Sequence, residues 1–404
     1  MNRILTFVLS VLLLSQASAK HPYKYINPVE GRFPILAWYS IKPDSEQTLE
    51  RYKELENAGL NLSFSHFEKA ADVEKGLKAA EGTNVKLMVT TWDFPGNVEK
   101  IVGQFKDNPR VGGWFLFDEP VPADFQRLKA FKDNIWKYDQ SHMLYLNLLP
   151  NYVPLERLKT KSYKEYLQRF VDEIDLGFFS FDAYPVIVNE KQDTVLREQF
   201  YSNLEDALAV SRQNNEPFWA FALSTAHDPY PVATREMLRL EVFSDLAYGA
   251  QGIQYFTYWN PGNTGSWNFN TAPISFDGHR THVYYLVKEL NEEIQRLAPV
   301  FLGAEVQNVS HTGTVIPQGT HRLEKLPHPF VDIQADGEGV LVSQFCNKDK
   351  KYLMIVNRDL NHAQTVSVKK QGKTMRIENG NSRTDRTKSF EKLLNPGDYI
   401  LYQF

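Results

Sequence analysis

Short apolar runs alternate with amphipathic stretches eight times along this chain. Each run ends in polar or aromatic residues. The stretch after it repeats its apolar positions every three to four residues, the spacing of one helix face. The predicted strands are Phe33–Ile41, Leu60–Phe67, Val85–Trp92, Val111–Glu119, Met143–Leu149, Leu176–Tyr184, Pro217–Ser224 and Gly252–Trp259. The predicted helices reach Leu55 after the first strand and then cover Val73–Ala80, Val98–Phe105, Phe125–Tyr138, Tyr163–Ile174, Glu198–Gln213, Arg235–Gly249 and Val283–Ala298. Eight βα units over roughly 270 residues need their helices outside a closed parallel sheet, so the predicted fold is α/β, a (β/α)8 TIM barrel. An open doubly wound sheet is the alternative. It would normally carry a glycine-rich phosphate loop after an early strand, and the sequence has none.

Near Phe301 the pattern changes. Strand-like alternation with turn signals takes over, as in Gly339–Phe345, Tyr352–Asn357, Thr365–Lys369 and Tyr399–Phe404. Asn395-Pro396-Gly397-Asp398 reads as the turn before the last strand. Residues 301–404 are therefore expected to form a small C-terminal β-sandwich, after a barrel over 20–300.

The N-terminus changes the picture in one respect. A basic start (Arg3), an apolar run from Ile4 to Leu14 and the small-x-small Ala17-Ser18-Ala19 read as an export signal over 1–19. The apolar run is shorter than a membrane span, so no membrane insertion is expected after its removal. The expected location is secreted or periplasmic. Cys346 is the single cysteine, which excludes an internal disulfide and a cysteine metal cluster and reads as a buried thiol. The net charge of −4, without a long basic run, speaks against a nucleic-acid partner. No sequence feature assigns an oligomeric state.

In a (β/α)8 barrel the chemistry sits at the C-terminal ends of the strands. Those ends carry Trp38 and Tyr39, Ser65 and His66, Thr91, Trp92 and Asp93, Asp118 and Glu119, Asn147, Asp182 and Tyr184, Ser224, and Tyr258, Trp259 and Asn260. The set is rich in aromatics, carboxylates and amides and poor in Lys and Arg. Aromatic faces stack on sugar C–H faces, and carboxylates and amides bind hydroxyl pairs. A neutral carbohydrate is favoured over a phosphorylated substrate.

The sharpest motif is Gly112-Gly113-Trp114-Phe115-Leu116-Phe117-Asp118-Glu119-Pro120. An apolar strand driving into two adjacent acids is not built for stability, because each acid costs desolvation if buried. Strand alternation is expected to send Asp118 and Glu119 to different sides. A solvent-exposed acidic loop is the plain alternative. The second motif, Phe178 to Pro185, ends in the same style. It offers Asp182 as a second carboxylate and Tyr184 as a substrate contact, unless Asp182 merely caps the loop. In the third, Gln254 to Pro261, Trp259 is expected as the floor of a sugar site or as core, and Tyr258 as a substrate contact. Trp267, in a Gly-, Asn- and Thr-rich loop, is a candidate subsite residue. His66 suits either a sugar hydroxyl or a structural role. No metal-ligand spacing, no cofactor motif and no Gly-x-Ser-x-Gly elbow is present.

At Asp118-Glu119-Pro120 the sequence resembles the barrel glycoside hydrolases of clan A, whose acid/base Glu ends the fourth strand, often as Asn-Glu-Pro. Here Asp118 replaces the Asn. The segment is more similar to the Asp-Glu-Pro proteins grouped with β-galactosidase-like barrels of Bacteroides-type bacteria. Tyr352–Asp359 is similar to their accessory β-domains. The resemblance implies cleavage of a glycosidic bond in an extracellular or periplasmic polysaccharide or oligosaccharide, with Glu119 as general acid and Asp182 as second carboxylate. One departure stands out. Retaining members carry a nucleophilic Glu at the end of the seventh strand, and Phe218–Thr225 has no acid.

Three routes stay open: inversion with Asp182 activating water, Asp182 as nucleophile, or attack by a substrate acetamido group oriented by Asp118. Strands four and six stand about 10 Å apart at two strand spacings, which suits inversion better than retention. The rival reading is a non-catalytic carbohydrate-binding protein on a barrel scaffold. A structural or surface-interaction protein is the weaker third, since it leaves the aromatic strand ends without a purpose.

Overall fold

A computed structural model describes residues 23–404 apart from 264 and 266. The expected export signal over 1–19 lies outside the described residues. The elements run β1 (Ile35–Trp38), α1 (Leu49–Asn57), β2 (Leu62–Phe64), α2 (Ala70–Ala79), β3 (Lys86–Val89), α3 (Val98–Phe105), β4 (Val111–Asp118), α4 (Phe125–Trp136) and β5 (Met143–Asn147). A single turn α5 (Leu155–Leu158) precedes α6 (Tyr163–Glu173) and β6 (Phe179–Phe181). A small hairpin, β7 (Val186–Val188) and β8 (Thr194–Leu196), leads to α7 (Phe200–Asn214), β9 (Phe218–Leu223), α8 (Arg235–Ala247), β10 (Ile253–Phe256) and α9 (His282–Phe301).

Eight of these strands form one parallel sheet in the order β5-β4-β3-β2-β1-β10-β9-β6. Its two ends meet where Leu148 N donates to Ser180 O at 2.7 Å and Leu148 bridges Phe181. The sheet thus closes into the expected (β/α)8 barrel. Strands buried on both faces must be apolar on both faces, which explains the continuous runs in the sequence. Inside, Trp38 packs on Phe64, Phe115, Tyr145 and Phe221 with ring centres 4.4 to 6.1 Å apart. The polar groups in this interior satisfy one another: Tyr145 donates to Gln254, and Gln254 Nε2 donates to Ser180 Oγ at 2.8 Å. Thr48, Ser162, Thr234 and Thr281 cap the starts of α1, α6, α8 and α9 by accepting backbone N–H groups.

The C-terminal strands are β11 (Glu305–His311), β12 (Phe330–Ala335), β13 (Val340–Asn347), β14 (Lys350–Asn357), β15 (Gln364–Lys370), β16 (Thr374–Glu378), β17 (Asn381–Asp385), β18 (Ser389–Leu394) and β19 (Tyr399–Gln403). They form a six-stranded sheet, β11-β13-β14-β19-β16-β17, and a three-stranded sheet, β12-β15-β18. Val340, Val342, Leu353, Ile355 and Ile400 face the smaller sheet, while Leu341, Phe345, Tyr352, Met354, Val356 and Leu401 join the barrel core. The large sheet is therefore apolar on both faces. It covers the outer side of α8, whose residues from Leu238 to Ala247 are all buried.

Most predicted strands overrun the observed ones at the mouth. Residues beyond several strand ends, Ile41, Phe67, Leu149 and Tyr184 among them, are buried all the same, and their burial imitates strand continuation. Cys346, expected as a buried thiol, is half-buried on β13, where Gln307 Nε2 lies 3.4 Å from its Sγ.

Candidate active site

The acids reach the mouth because β4 is irregular. Leu87 pairs with Val111 but Met88 with Gly113, so Gly112 is an extra residue. Phe115 pairs with Tyr145 but Phe117 with Leu146, so Leu116 is a second. Bulges of this kind bend a strand and re-aim its end. Gly113 is required for the approach, since a Cβ there would stand 2.5 Å from Met143 O. Glu119 then adopts a left-handed backbone, φ 50°, while its N–H donates to Asn147 O at 2.9 Å. The expectation that strand alternation separates Asp118 from Glu119 fails here. The bulges and the left-handed turn bring both acids to one cluster.

Asn147, at the end of β5, holds that cluster together. Its Nδ2 donates to Asp118 Oδ1 at 3.3 Å and to Asp182 Oδ1 at 3.1 Å, while its Oδ1 accepts from Ser180 Oγ at 2.8 Å. Two oxygens on one amide nitrogen lie about 5 to 6 Å apart. Asp118 and Asp182 are thus closer than the strand spacing suggests. Burial and the neighbouring Glu119 charge push Asp118 up to about 7. Asp118 is nonetheless exposed to solvent at the strand end, which screens part of this push. Burial, then the charges of Glu119 and Asp118, raises Asp182 well above the ordinary carboxylate range. Burial also raises Glu119, and Arg157, whose Nη2 lies 3.8 Å from Glu119 Oε2, opposes the rise. Three acids with raised proton affinity act on one another's charge around Asn147, a feature typical of acid–base sites.

Tyr39 and His66 stand beside the cluster. Tyr39 has a left-handed backbone at φ 40°, and its ring centre is 5.8 Å from that of His66. Burial lowers the His66 pKa, which favours a neutral imidazole. Tyr184 is buried just inside the mouth, edge-on to Tyr230 at 5.5 Å. Trp92 and Trp267 are exposed on the rim, and Trp267 stacks on Phe269 at 5.8 Å.

Three expected contacts are corrected. Trp38 is core beneath the cleft, closed from solvent by the interior rings. Tyr258 is buried outside the barrel, among the charges of Glu54, Arg280 and Arg51. Trp259 lies under Arg51, whose guanidinium is 4.8 Å from the ring centre. The backbone beyond β10 stays beside β1, with Tyr258 N donating to Trp38 O and Trp259 N to Tyr39 O, but both side chains are buried and present no face to the mouth.

The end of β9 carries no acid, in keeping with its sequence. Ser224 Oγ and Thr225 Oγ1 both donate to Thr257 O, at 2.8 and 3.1 Å. Loop residues supply what the strand-end survey misses. They are Tyr152, whose hydroxyl donates to Asp182 O at 3.4 Å, Arg157, and Arg197, 4.0 Å from the Tyr152 ring centre. No group of three His, Cys, Asp or Glu side chains among the described residues is arranged to hold a metal ion. A cavity of about 580 Å³, lined by Tyr25, Arg212 and Gln307 among others, opens at the far end of the barrel. That end of the fold serves stability rather than chemistry.

The family model of the glycoside hydrolase family 42 β-galactosidases matches residues 123–297, a segment that begins just past Pro120. No curated protein sequence matches the chain. Among solved structures, the β-galactosidase from Bacillus circulans sp. alkalophilus is similar over 92% of this chain and 99% of its own, at 9% identity and a TM-score of 0.63. A catalytic mutant of a family 42 β-galactosidase from G. stearothermophilus is similar over 94% and 99%, at 9% identity and a TM-score of 0.62. The chain spans 60% of the β-galactosidase from the psychrophilic Marinomonas ef1, over 66% of its own residues, at 11% identity and a TM-score of 0.49. The likeness to the Bacillus circulans and G. stearothermophilus structures, at these identities, establishes the barrel fold with its β-domain. The family match supports a glycoside hydrolase.

Proposed function

We propose that this protein is an exported bacterial hydrolase of glycosidic bonds in a polysaccharide or oligosaccharide, and that Glu119 is its general acid and Asp182 its second carboxylate. We place it with the β-galactosidase-like Asp-Glu-Pro barrels. The observation that carries the reading is the meeting of Asp118, Glu119 and Asp182 around Asn147 at the C-terminal end of the barrel.

The chemistry follows from the coupling. Glu119 must hold a proton to pass to the leaving oxygen, and Asp182 must be ionised to take one from water. The Glu119 charge is one cause of the raised Asp182 pKa. Protonating Glu119 removes that charge and so lowers the proton affinity of Asp182, though burial still raises it. The cluster therefore has a state with the proton on Glu119 and a base on Asp182, and its titration belongs to the group as a whole. With Ser224 and Thr225 where a nucleophilic acid would stand, one-step inversion is favoured over an ester on β9. The same lack of an acid favours the second reading, a sugar-binding protein without turnover.

Sugar release from a broad glycan panel, wild type against Glu119→Gln, separates the two. The hydrolase reading expects a cleaved glycan and a loss of at least about a hundredfold in the variant. Binding of a glycan by both proteins alike, with no cleavage by either, overturns it.

A further inference from the structure

Arg157 is out of place beside a general acid. It sits on α5, which Pro154 opens by accepting from Arg157 N at 2.9 Å and Lys159 closes with a left-handed backbone, φ 50°. Leu158 is buried, so the turn is anchored with Arg157 directed over the cleft. The side chain is 56% exposed, and its guanidinium lies 3.8 Å from Glu119 Oε2, too far for a good hydrogen bond. Among the described residues it has no other acidic partner. The guanidiniums of Arg51, Arg127, Arg169 and Arg239, by contrast, each hold a carboxylate at 2.5 to 2.9 Å. Arg197, across Tyr152, also lacks a carboxylate partner among the described residues and instead donates to Tyr184 O and Tyr230 Oη, both at 3.3 Å.

A cation at this distance opposes protonation of the one carboxyl that must carry a proton. The arrangement is productive if the cation is drawn away when substrate enters. We propose that Arg157 receives an anionic substituent of the glycan, a uronate carboxylate or a sulfate ester, and in doing so frees Glu119 to take up its proton. This rests on the reading of Glu119 as general acid. A guanidinium fork matches a carboxylate or sulfate in two parallel hydrogen bonds, which a single 3.8 Å contact to Glu119 does not use. The groups facing Glu119 are Asp118 on its own strand, Asp182 from β6, Tyr166 from α6 and Arg157 from α5. Once Arg157 turns to the ligand, the charged neighbours that remain are the acids Asp118 and Asp182, which favour the protonated form, while the Tyr166 phenol is neutral and donates to Pro120 O. The glycan would then be charged, unlike the neutral sugar that the strand ends alone suggest.

The test uses the full chain carrying Glu119→Gln, which keeps the cleft and stops turnover. Its binding to oligogalacturonides, to sulfated galactan oligosaccharides and to neutral galacto-oligosaccharides of equal length is measured by calorimetry at low and moderate salt. We expect one anionic series to bind at least about tenfold tighter than the neutral one, with a margin that shrinks with salt. The series that shows the margin identifies carboxylate or sulfate. In Glu119→Gln/Arg157→Gln the margin should vanish. In a protein that keeps Glu119, Arg157→Gln should move the basic limb of kcat/KM to higher pH on a neutral substrate. Equal binding of all three series, no binding of either anionic series, or a margin that survives Arg157→Gln overturns the proposal. These binding outcomes do not depend on turnover. A wild type that cleaves nothing refutes the hydrolase reading and leaves the Arg157 site standing, whereas cleavage without an anionic margin does the reverse.

Discussion

Asn147 is the residue on which the site turns, because one amide satisfies two acids that would otherwise repel each other unbridged. Burial and its acidic neighbours favour the neutral form of Asp182, so a neutral amide in its place costs the fold little. Asp182→Asn should therefore melt within a few degrees of wild type. Its turnover should fall by about 10² to 10⁴, the range for loss of a general base. Melting curves with initial rates check this, and a variant that keeps wild-type turnover removes Asp182 from the mechanism. At this scale the sequence was informative where a strand ends in an acid: Asp118, Glu119, Asn147 and Asp182 were readable as strand-end residues. It was silent on Arg157, Tyr152 and Arg197. Their loops gain meaning only from where the crossovers carry them. It misled on Tyr258 and Trp259, because the pattern does not tell a strand-end aromatic that faces the mouth from one that is buried.

Among the elements, α8 is the most unusual. It carries Glu241 and Asp245, one turn apart and both buried. Glu241 Oε2 accepts from Leu223 N at 3.0 Å, while Glu241 Oε1 and Asp245 Oδ2 have no partner among the described residues. Burial raises both well above their ordinary values of 4.5 and 3.8, and Glu241 adds to the rise at Asp245. The sign follows from linkage. Their contribution to stability is fully present below the unfolded values and is lost as pH rises toward the folded ones. The cost of keeping such a group protonated grows by at most about 1.4 kcal/mol per pH unit. Glu241→Gln/Asp245→Asn should thus gain in Tm over wild type at pH 8 and show little gain at pH 4.5. Thermal melts across that range check it, and a gain independent of pH would contradict the assignment. The helix itself was legible in the sequence. Its burial on all sides was not, because the covering β-sheet comes from residues a hundred positions later.

The whole molecule behaves as one packed body. The barrel core continues through Leu341, Phe345, Met354 and Leu401 into the β-domain. Arg239 on α8 joins Glu293 on α9 at 2.5 Å and Asp398 in the last turn at 2.7 Å. Gly397 packs so tightly on α8 that a Cβ would stand 2.1 Å from Leu240 N. Removing the β-domain after residue 303 should expose the apolar flank of α8 and leave an aggregating barrel, whereas the full chain melts in one transition. Two separated transitions by calorimetry would contradict this. The barrel was legible as a βα rhythm and the β-domain as a loss of that rhythm. Their docking was hidden, since β14 reads alike whether it faces one partner or two. What the assembled molecule is proposed to do comes down to the proton on Glu119. The most direct measurement is kcat/KM for Glu119→Gln on glycosides of one sugar whose leaving groups range from a poor alcohol to dinitrophenol. A good leaving group departs without a proton. The account predicts a loss of about a hundredfold or more on the poor leaving group and only a few-fold on dinitrophenol. An equal loss on both would show that Glu119 is not the acid.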